Sequence, residues 1–365
     1  MRDLQHVILV PGFFGFSELG DLPYFAHVAE VLTDNFTQRG WEVIVTKSST
    51  SPTASIAQRA ARLREVVVDV AHEGTIHLVG HSSGGLDAWW LAHEDRMEPW
   101  TRRLASVCGI SVPHGGTPLA SLFTGVQGHR VLQLLSLATV YILRFGRLPL
   151  GLAAKLVGVF ARVDDVLRLN RTIADQLYQQ LLSDLSRERT EQLSAFFSDV
   201  RQDQDLVAEL RPEATEVRAI PDNPAVRYGC VVTQAARPGP RTAWRAGLDP
   251  YGQMTHGIYA TLHTLTGRRP SGVVPPVYRD ALFRAFARLP DGRSSDGVVP
   301  TLAQLRGTFV HGAGGDHLDV IGHFDDPEHE PPHFDWLASG TGFRRRDFER
   351  LWGRVTDFLL DEPLS

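Results

Sequence analysis

The first third of the chain alternates between two hydrophobic patterns, and this alternation limits the fold more than any other feature. Short apolar runs alternate with segments whose apolar residues recur at helical spacing. The predicted order is strand, helix, strand, helix, strand, helix, strand, over HVILVPG (6–12), YFAHVAEVLTDNFTQRG (24–40), WEVIVTKSS (41–49), TASIAQRAARLREVVVDVAHEG (53–74), TIHLVGHS (75–82), GGLDAWWLAHED (84–95) and RLASVCGISVP (103–113). Because strands separated by helices pair in parallel through right-handed crossovers, the sequence predicts a doubly wound, mostly parallel α/β sheet.

Beyond Pro113 the alternation lapses, and residues 119–200 have mostly helical spacing. The remaining segments with a clear pattern are two strands and two helices, at AVRYGCVVTQAA (225–236), GTFVHG (307–312), DALFRAFARL (280–289) and RRDFERLWGRVTDFLL (345–360). A loop rich in proline and glycine is predicted from Pro238 onward. The sequence therefore predicts one α/β domain over residues 1–365, with a helical insertion at 119–200.

Composition and charge restrict the class of partner. The chain has 365 residues, 43% of them hydrophobic, which is enough for one large α/β domain. The formal net charge is −5 and no block of like charges stands out, so we expect no nucleic-acid partner. Cys108 and Cys230 both fall in apolar strand patterns, and we expect them to be buried free thiols rather than a disulfide.

The N-terminus lacks the pattern of a signal peptide. MRDLQHVILVPG (1–12) passes directly into a strand and a turn, without a separate apolar segment or a small-residue cleavage site. We therefore expect a cytoplasmic protein as the sequence is written, and a secreted one if a leader has been removed.

The most apolar stretch is 131–161, and it does not have the pattern of a transmembrane helix. Basic residues interrupt it and Pro149 and Gly151 break it, so its clean part is shorter than the ~20 apolar residues that a span needs. Its apolar side chains between Leu132 and Leu143 exceed what one helix stripe can bury. This favours a lid-like cap over residues 119–161, within the insertion at 119–200, whose apolar surface makes transient contact with a lipid interface. The alternative is that these leucines fill a second helical layer of the core.

A serine between glycines follows the third predicted strand, in TIHLVGHSSGGLDAWWLA (75–92). Ser82 has glycines two residues away on both sides, at Gly80 and Gly84. Ser83 does not fit this pattern, because the residue two positions before it is His81. The pattern G-x-S-x-G between a strand and a helix is typical of a nucleophile on a strained turn, where small neighbours let strand and helix approach closely. We therefore predict that Ser82 is a nucleophile.

A serine nucleophile needs a base and a carboxylate that orients the base. SSDGVVP (294–300) supplies Asp296 in a predicted loop, and the segment after the last short strand offers His311, His317 and His323. The order along the chain is then serine, aspartate, histidine, as in the α/β-hydrolase architecture.

Five segments in this order resemble motifs of the bacterial true lipases, the triacylglycerol lipases of the α/β-hydrolase fold. They are HVILVPGFFGFSELGDLPYF (6–25), HLVGHSSGGLDA (77–88), ISVPHGGTPLAS (110–121), SSDGVVP (294–300) and GDHLDVIG (315–322). The resemblance spans nearly the whole predicted sheet and does not extend to the helical insertion or to residues 238–276. It implies an α/β-hydrolase fold with a helical lid or cap.

Carried over residue by residue, the resemblance makes Ser82 the nucleophile, Asp296 the orienting carboxylate and His317 the base. It also makes the backbone N–H groups of Phe13 and Ser83 the oxyanion hole. Reasoning from the residues agrees on this pair, because one donor should follow the nucleophile and the other should come from the loop after the first strand. No organic cofactor is required for such chemistry.

Two positions depart from the family pattern. The His-Gly pair of the first loop is Pro11-Gly12 here, so orientation of that loop by a histidine side chain is lost. The family's structural calcium uses the aspartate of the H-[LFV]-D motif, which is Asp319, but the glutamine expected four residues later is His323. The resemblance therefore implies a structural calcium ion at Asp319, for which the sequence does not identify a second aspartate.

Histidine and acidic residues are frequent between residues 311 and 333, which raises the alternative of a transition-metal site. The sequence has no H-x-x-x-H pair on a helix pattern and no C-x-x-C pair. The segment DDPEHEPPHF (325–334) is rich in proline and predicts a solvated loop, so we expect no metal site there.

Two further histidines lie near the predicted nucleophile or after the next strand. We expect His81 to pack beneath the serine turn and His114 to be structural.

The sequence therefore predicts a serine carboxylester hydrolase, a lipase or esterase that acts on lipid-like esters. Two alternatives remain open. The first is an acyltransferase, a thioesterase or a small-ester esterase with the same Ser-Asp-His residues. The second is a non-catalytic lipid-binding protein on a hydrolase fold, against which the intact Ser-Asp-His set argues.

Overall fold

The computed structural model describes residues 4–13, 18–19, 22–94, 98–123, 198, 203–214, 219–330, 332–333 and 335–363. Its strands are β1 (Gln5–Val10), β2 (Glu18–Leu19), β3 (Leu22–Pro23), β4 (Val43–Lys47), β5 (Thr75–His81), β6 (Leu104–Ile110), β7 (Arg227–Thr233) and β8 (Thr308–Ala313). Six of them form a sheet in the order β4-β1-β5-β6-β7-β8, and every pairing in it is parallel. Strands β2 and β3 form a short antiparallel ribbon. The doubly wound parallel sheet predicted from the sequence is confirmed.

Helices cover both faces of the sheet. They are α1 (Val28–Gln38), α2 (Ile56–Val70), α3 (Ser83–Glu94), α4 (Asp205–Glu209), α5 (Pro240–Arg245), α6 (Pro250–Thr266), α7 (Arg279–Phe286) and α8 (Arg345–Leu359). Short 3₁₀ helices lie between them at Pro99–Arg103, Pro118–Leu122, Pro276–Tyr278, Thr301–Gln304 and Asp319–Ile321.

Strand β1 shows why the apolar runs are continuous rather than alternating. Val7 and Leu9 belong to a core cluster with residues of α1 and α8, whereas Ile8 and Val10 belong to a second cluster with residues of α2 and α3. All six residues of β1 are buried. Because successive side chains of a strand point to opposite faces, the part of a strand that helices cover on both sides is apolar at successive positions, as at residues 7–10.

The loop predicted from Pro238 onward is wrong, because this segment contains helices α5 and α6. Helix α6 has 17 residues and begins at Pro250, directly after an aspartate cap. The Asp249 carboxylate accepts hydrogen bonds from the N–H groups of Tyr251 and Gly252, each at 3.0 Å. A capping aspartate followed by proline is a strong start signal for a helix. The many glycines and prolines nearby had instead favoured the prediction of a loop.

The predicted insertion at 119–200 lies almost entirely outside the described residues. Its described beginning, the 3₁₀ helix Pro118–Leu122, packs Leu119 and Ala120 into the core. The lid and the single domain over 1–365 therefore stay predictions. Among the helices that the structure describes, none is long and apolar enough to cross a membrane.

Both cysteines are buried and unpaired, as predicted. Cys108 lies on β6 and Cys230 on β7, and burial raises the pKa of the Cys230 thiol to about 12. A thiol that is both inaccessible and protonated is a poor nucleophile.

We therefore expect neither cysteine to react with an aromatic disulfide reagent in native buffer, and both to react once the protein is unfolded in guanidinium chloride. The measurement is the absorbance of the released thiolate. Rapid reaction in native buffer would show that the thiols are exposed, and a missing reaction in denaturant would show that they are already oxidised.

Candidate active site

Ser82 lies on the turn that joins β5 to α3, in a backbone conformation that only few residues adopt. Its φ is +54°, in the left-handed region that is disfavoured for residues with a Cβ. Its N–H donates to the carbonyl oxygen of Ile110 at 2.9 Å, and its own carbonyl oxygen accepts from the N–H of Gly85 at 3.0 Å. These bonds hold the strained turn between the neighbouring strand and the first turn of the helix.

Close backbone contacts explain the glycines on either side of Ser82. A Cβ at Gly80 would lie 2.5 Å from the backbone of Gly84 and Gly85. A Cβ at Gly84 would lie 2.4 Å from the carbonyl oxygens of Val10 and Pro11. Both positions therefore require glycine for packing, which is the physical reason for the G-x-S-x-G pattern.

The loop after β1 lies directly beside the serine. A Cβ at Gly12 would lie only 2.6 Å from the Cβ of Ser82. Phe13 is the next residue of this loop, and Ser83 begins α3. The two predicted oxyanion donors thus belong to the segments that flank Ser82, although their role stays a prediction.

Asp296 and His317, which are 21 residues apart, are brought together after the carboxyl ends of β7 and β8. The Nδ1–H of His317 donates to Oδ2 of Asp296 at 2.8 Å, and both side chains are buried. The same Oδ2 accepts from Oγ1 of Thr233 at 2.7 Å and from Nε2 of Gln304 at 3.2 Å. The other oxygen, Oδ1, accepts from the N–H groups of residues 298 and 299 at 2.9 and 2.7 Å. Both oxygens of Asp296 are therefore fixed in place by hydrogen bonds.

A chain of hydrogen bonds runs from the loop after β1 to the backbone of His317. The N–H of Gly12 donates to the hydroxyl oxygen of Tyr24 at 2.9 Å, and that hydroxyl lies 2.7 Å from Nδ1 of His81. The Nε2–H of His81 donates to the carbonyl oxygen of His317 at 2.9 Å, so Nδ1 is the nitrogen that accepts from Tyr24. Burial holds the pKa of His81 well below its usual range, so its ring is neutral. His81 packs beneath the turn, as predicted.

Arg59 is a site residue that the sequence analysis missed. It is fully buried in α2, where its guanidinium forms a short ion pair with Asp87 of α3, with 2.7 Å between Nη2 and Oδ2. The same Nη2 donates to the carbonyl oxygens of Pro11 and Gly12, each at 3.1 Å. Arg59 thus holds the loop after β1 against α2. Its signal in the sequence is a charge within the apolar stripe of α2, beside Ile56 and Ala60.

Three aspartates lie together on either side of His317 in the sequence, two of them buried and Asp335 half-buried. One carboxylate oxygen of each of Asp316, Asp319 and Asp335 lies within 4.8 Å of the others. Burial raises the pKa of the Asp316 carboxyl to about 6, and burial together with the charge of Asp316 raises the pKa of Asp319. Oxygen donors of like charge in one buried place match the ligand preference of calcium, so these residues fit the calcium ion that the resemblance implies at Asp319. Asp335 is the second aspartate for a calcium site that the sequence did not identify.

The other histidines considered from the sequence, His311, His323 and His114, have surroundings different from those of His317. His311 lies within β8, and burial lowers its pKa to about 4. The Nε2–H of His323 donates to the carbonyl oxygen of Tyr24 at 2.9 Å. His114 is buried edge-on against Trp89, with ring centroids 4.6 Å apart, which agrees with a structural role. None of the three forms a hydrogen bond with Asp296 among those that the structure describes.

Comparisons with known proteins agree with this architecture. No protein-family model matches the sequence, and no curated protein matches it. Among solved structures, lipase 1 from Pelosinus fermentans has a TM-score of 0.51 at 15% identity, over 98% of this chain and 99% of that chain. The chain has the α/β-hydrolase fold.

Two further structures are similar at lower scores. A metagenomic carboxyl esterase has a TM-score of 0.45 at 18% identity, over 98% of this chain and 75% of its own. A mature Bacillus licheniformis lipase has a TM-score of 0.40 at 12% identity, over 92% of this chain and 87% of its own. Likeness at such identities shows the fold and not the activity, so membership of the bacterial true lipases stays a prediction.

The contacts at Gly80 predict a specific loss of stability. Replacing Gly80 with alanine forces its Cβ against backbone atoms that cannot rotate away, and we expect a destabilisation of about 1–3 kcal/mol, as for overpacking. The matched control is Gly353→Ala in α8, where an added Cβ meets no atom within 4 Å. The control should be neutral or stabilised by up to about 1 kcal/mol, because alanine favours a helix. Equal urea midpoints for the two variants would contradict the packing argument.

The role of Arg59 can be separated from its contribution to stability. Arg59→Met leaves the Asp87 carboxylate buried without its cation, and we expect a loss of about 3–5 kcal/mol in urea unfolding. The double variant Arg59→Met/Asp87→Leu removes both charges and should regain most of that stability. It should not regain ester hydrolysis, since the Pro11 and Gly12 carbonyls still lack their donor. A double variant with wild-type turnover would show that the ion pair does not position the loop.

Proposed function

We propose that the protein is a serine carboxylester hydrolase that cleaves lipid-like esters through a covalent acyl-enzyme. The observation that carries this proposal is the buried hydrogen bond between His317 and Asp296, at the same edge of the sheet as the strained Ser82 turn. In parallel sheets with flanking helices, active sites form outside the carboxyl ends of the strands.

The proposed reaction follows from the chemistry of these groups. The Oγ of Ser82 attacks the ester carbonyl carbon while Nε2 of His317 takes the hydroxyl proton. Asp296 accepts from Nδ1–H, which leaves Nε2 as the basic nitrogen and stabilises the imidazolium that forms. The backbone N–H groups of Phe13 and Ser83 stabilise the negative oxygen of the tetrahedral intermediate.

Collapse of that intermediate breaks the bond to the alcohol, which leaves with the proton from His317. Water then attacks the acyl-enzyme, His317 again takes the proton, and the acid is released as Ser82 regains its hydrogen. His81 cannot serve as the base instead, because Tyr24 and the His317 carbonyl occupy both of its ring nitrogens.

Two features support lipid-like esters as the substrate class. The stretch 131–161 is strongly apolar and follows the strand after the serine turn, where this fold often carries a cap. The structural neighbour with a TM-score of 0.51 is itself a lipase. A structural calcium held by Asp316, Asp319 and Asp335 would stabilise the loop that carries His317 and would take no part in the reaction.

Replacing Ser82 with alanine should lower ester hydrolysis on the order of 10⁴-fold or more while the fold persists, because the nucleophile is lost and the other groups remain. The measurement is turnover of p-nitrophenyl esters from acetate to palmitate. Ser51→Ala, at an exposed serine, is the control and should match the wild type. Wild-type turnover that rises toward medium and long chains would support the lipase specificity.

Turnover confined to acetate and butyrate would overturn the lipid-like substrate and retain the triad. Labelling by an organophosphonate gives an independent test of the nucleophile, and one label on wild type but none on Ser82→Ala is expected. No label on either protein, together with no hydrolysis, would refute the hydrolase and favour a non-catalytic lipid-binding protein.

A further inference from the structure

Three histidines from distant parts of the chain meet in one cluster, and none of them belongs to the proposed triad. One ring nitrogen of each of His27, His329 and His333 lies within 4.8 Å of the others. The ring centroid of His27 is 4.1 Å from those of His329 and His333, which are 4.8 Å from one another. We propose that this three-histidine cluster binds a divalent transition-metal ion, with Zn²⁺ as the expected ion.

The hydrogen bond of one of these rings leaves a nitrogen suited to bind a metal. Nδ1 of His333 lies 2.6 Å from the carbonyl oxygen of Gly322. This carbonyl only accepts, so Nδ1 of His333 carries its hydrogen and Nε2 carries the lone pair. Nδ1 of His27 lies 3.4 Å from a carboxylate oxygen of Glu30. Metal-binding histidines characteristically donate their second ring N–H to a carbonyl or a carboxylate in this way.

Two of the three rings, those of His329 and His333, are buried, and His27 is half-buried. Neutral imidazole is the form that binds metal.

The surroundings of the cluster favour a cation over other ligands. The rings open on a cleft of about 350 Å³ whose lining also includes Glu30, Asp34 and Glu349, with Arg345 as its basic side chain. A carboxylate or a water molecule from this cleft can complete a tetrahedral site, because zinc takes three or four protein ligands. Imidazole nitrogens suit zinc, whereas calcium prefers oxygen donors such as those of Asp316, Asp319 and Asp335.

A metal ion here would join two segments that are already in contact. The N–H of Ala26 donates to the carbonyl oxygen of Ile321 at 2.9 Å, and His323 donates to the carbonyl oxygen of Tyr24. The ion would add a link between the start of α1 and the segment after His317. We therefore expect the ion to stabilise the fold, independently of whether the proposed hydrolysis is correct.

The test uses the full chain stripped of metal by a chelator, with binding of Zn²⁺ followed by calorimetry and by the shift in thermal midpoint. Wild type should bind one Zn²⁺ at this cluster, and at 100 times the Kd the unfolding equilibrium constant should fall about 100-fold. Replacement of Zn²⁺ by Co²⁺ should give visible absorption bands of a nitrogen-bound ion, a readout that does not depend on activity.

Two variants remove ligands without forcing a change of backbone. His329→Gln keeps a polar side chain of similar reach, and His27→Asn suits the φ of +58° at that position, since asparagine tolerates the left-handed region. Each should weaken Zn²⁺ binding by at least roughly 100-fold, the upper end of the effect of losing an outer-shell partner. His72→Gln, at an exposed histidine, is the matched control and should bind as the wild type does.

Two outcomes would overturn the proposal. The first is absence of Zn²⁺ binding by the wild type, or equal binding by His329→Gln and His72→Gln. The second is loss of the Zn²⁺ effect in Asp335→Asn but not in His329→Gln, which would place the ion among the aspartates. Circular dichroism and the metal-free thermal midpoint of each variant establish that a loss of binding is not a loss of fold.

Discussion

The buried ion pair between Arg59 and Asp87 is the interaction on which the candidate site depends. Burying two charges is unfavourable unless every donor and acceptor is matched, and Arg59 meets this condition by also donating to the carbonyl oxygens of Pro11 and Gly12. The loop after β1 is therefore fastened to α2 and, through Asp87, to α3. Because α3 begins at the serine turn, one guanidinium fixes the loop and the nucleophile relative to each other.

A second set of contacts connects the loop after β1 to His317, the proposed base. The chain from Gly12 through Tyr24 and His81 ends at the carbonyl of His317, while the His317 ring is held by Asp296. Backbone and ring are thus anchored separately, which leaves the histidine little freedom of orientation. The parallel sheet determines where these loops begin. The buried polar side chains determine how the loops are positioned relative to one another.

How much of the structure can be predicted from the sequence depends on the range of the interactions involved. Periodicity is local, so it predicted the six strands of the sheet and most of the flanking helices. The glycines around Ser82 form a local pattern on one strand-to-helix turn, so they too were predictable from the sequence, although Gly84 is required by contacts with Val10 and Pro11 on another segment. The pairing of Arg59 with Asp87 was not, because a charge within an apolar stripe does not reveal which distant residue neutralises it. Asp335 was not predicted either, because the sequence does not show which distant residues lie beside Asp319.

In the segment 325–334, composition predicted the surroundings of the acids but not those of the histidines. Asp325, Glu328 and Glu330 are exposed, as expected of a solvated loop. His333, in contrast, is buried and stacks on Phe324, with ring centroids 4.3 Å apart. Its third histidine partner, His27, lies some 300 residues earlier, where no spacing rule could connect it. Three imidazole rings with nitrogens this close together offer their lone pairs to one cation. For this reason the cluster, rather than the more conspicuous row of acids, is the place to look for a transition metal.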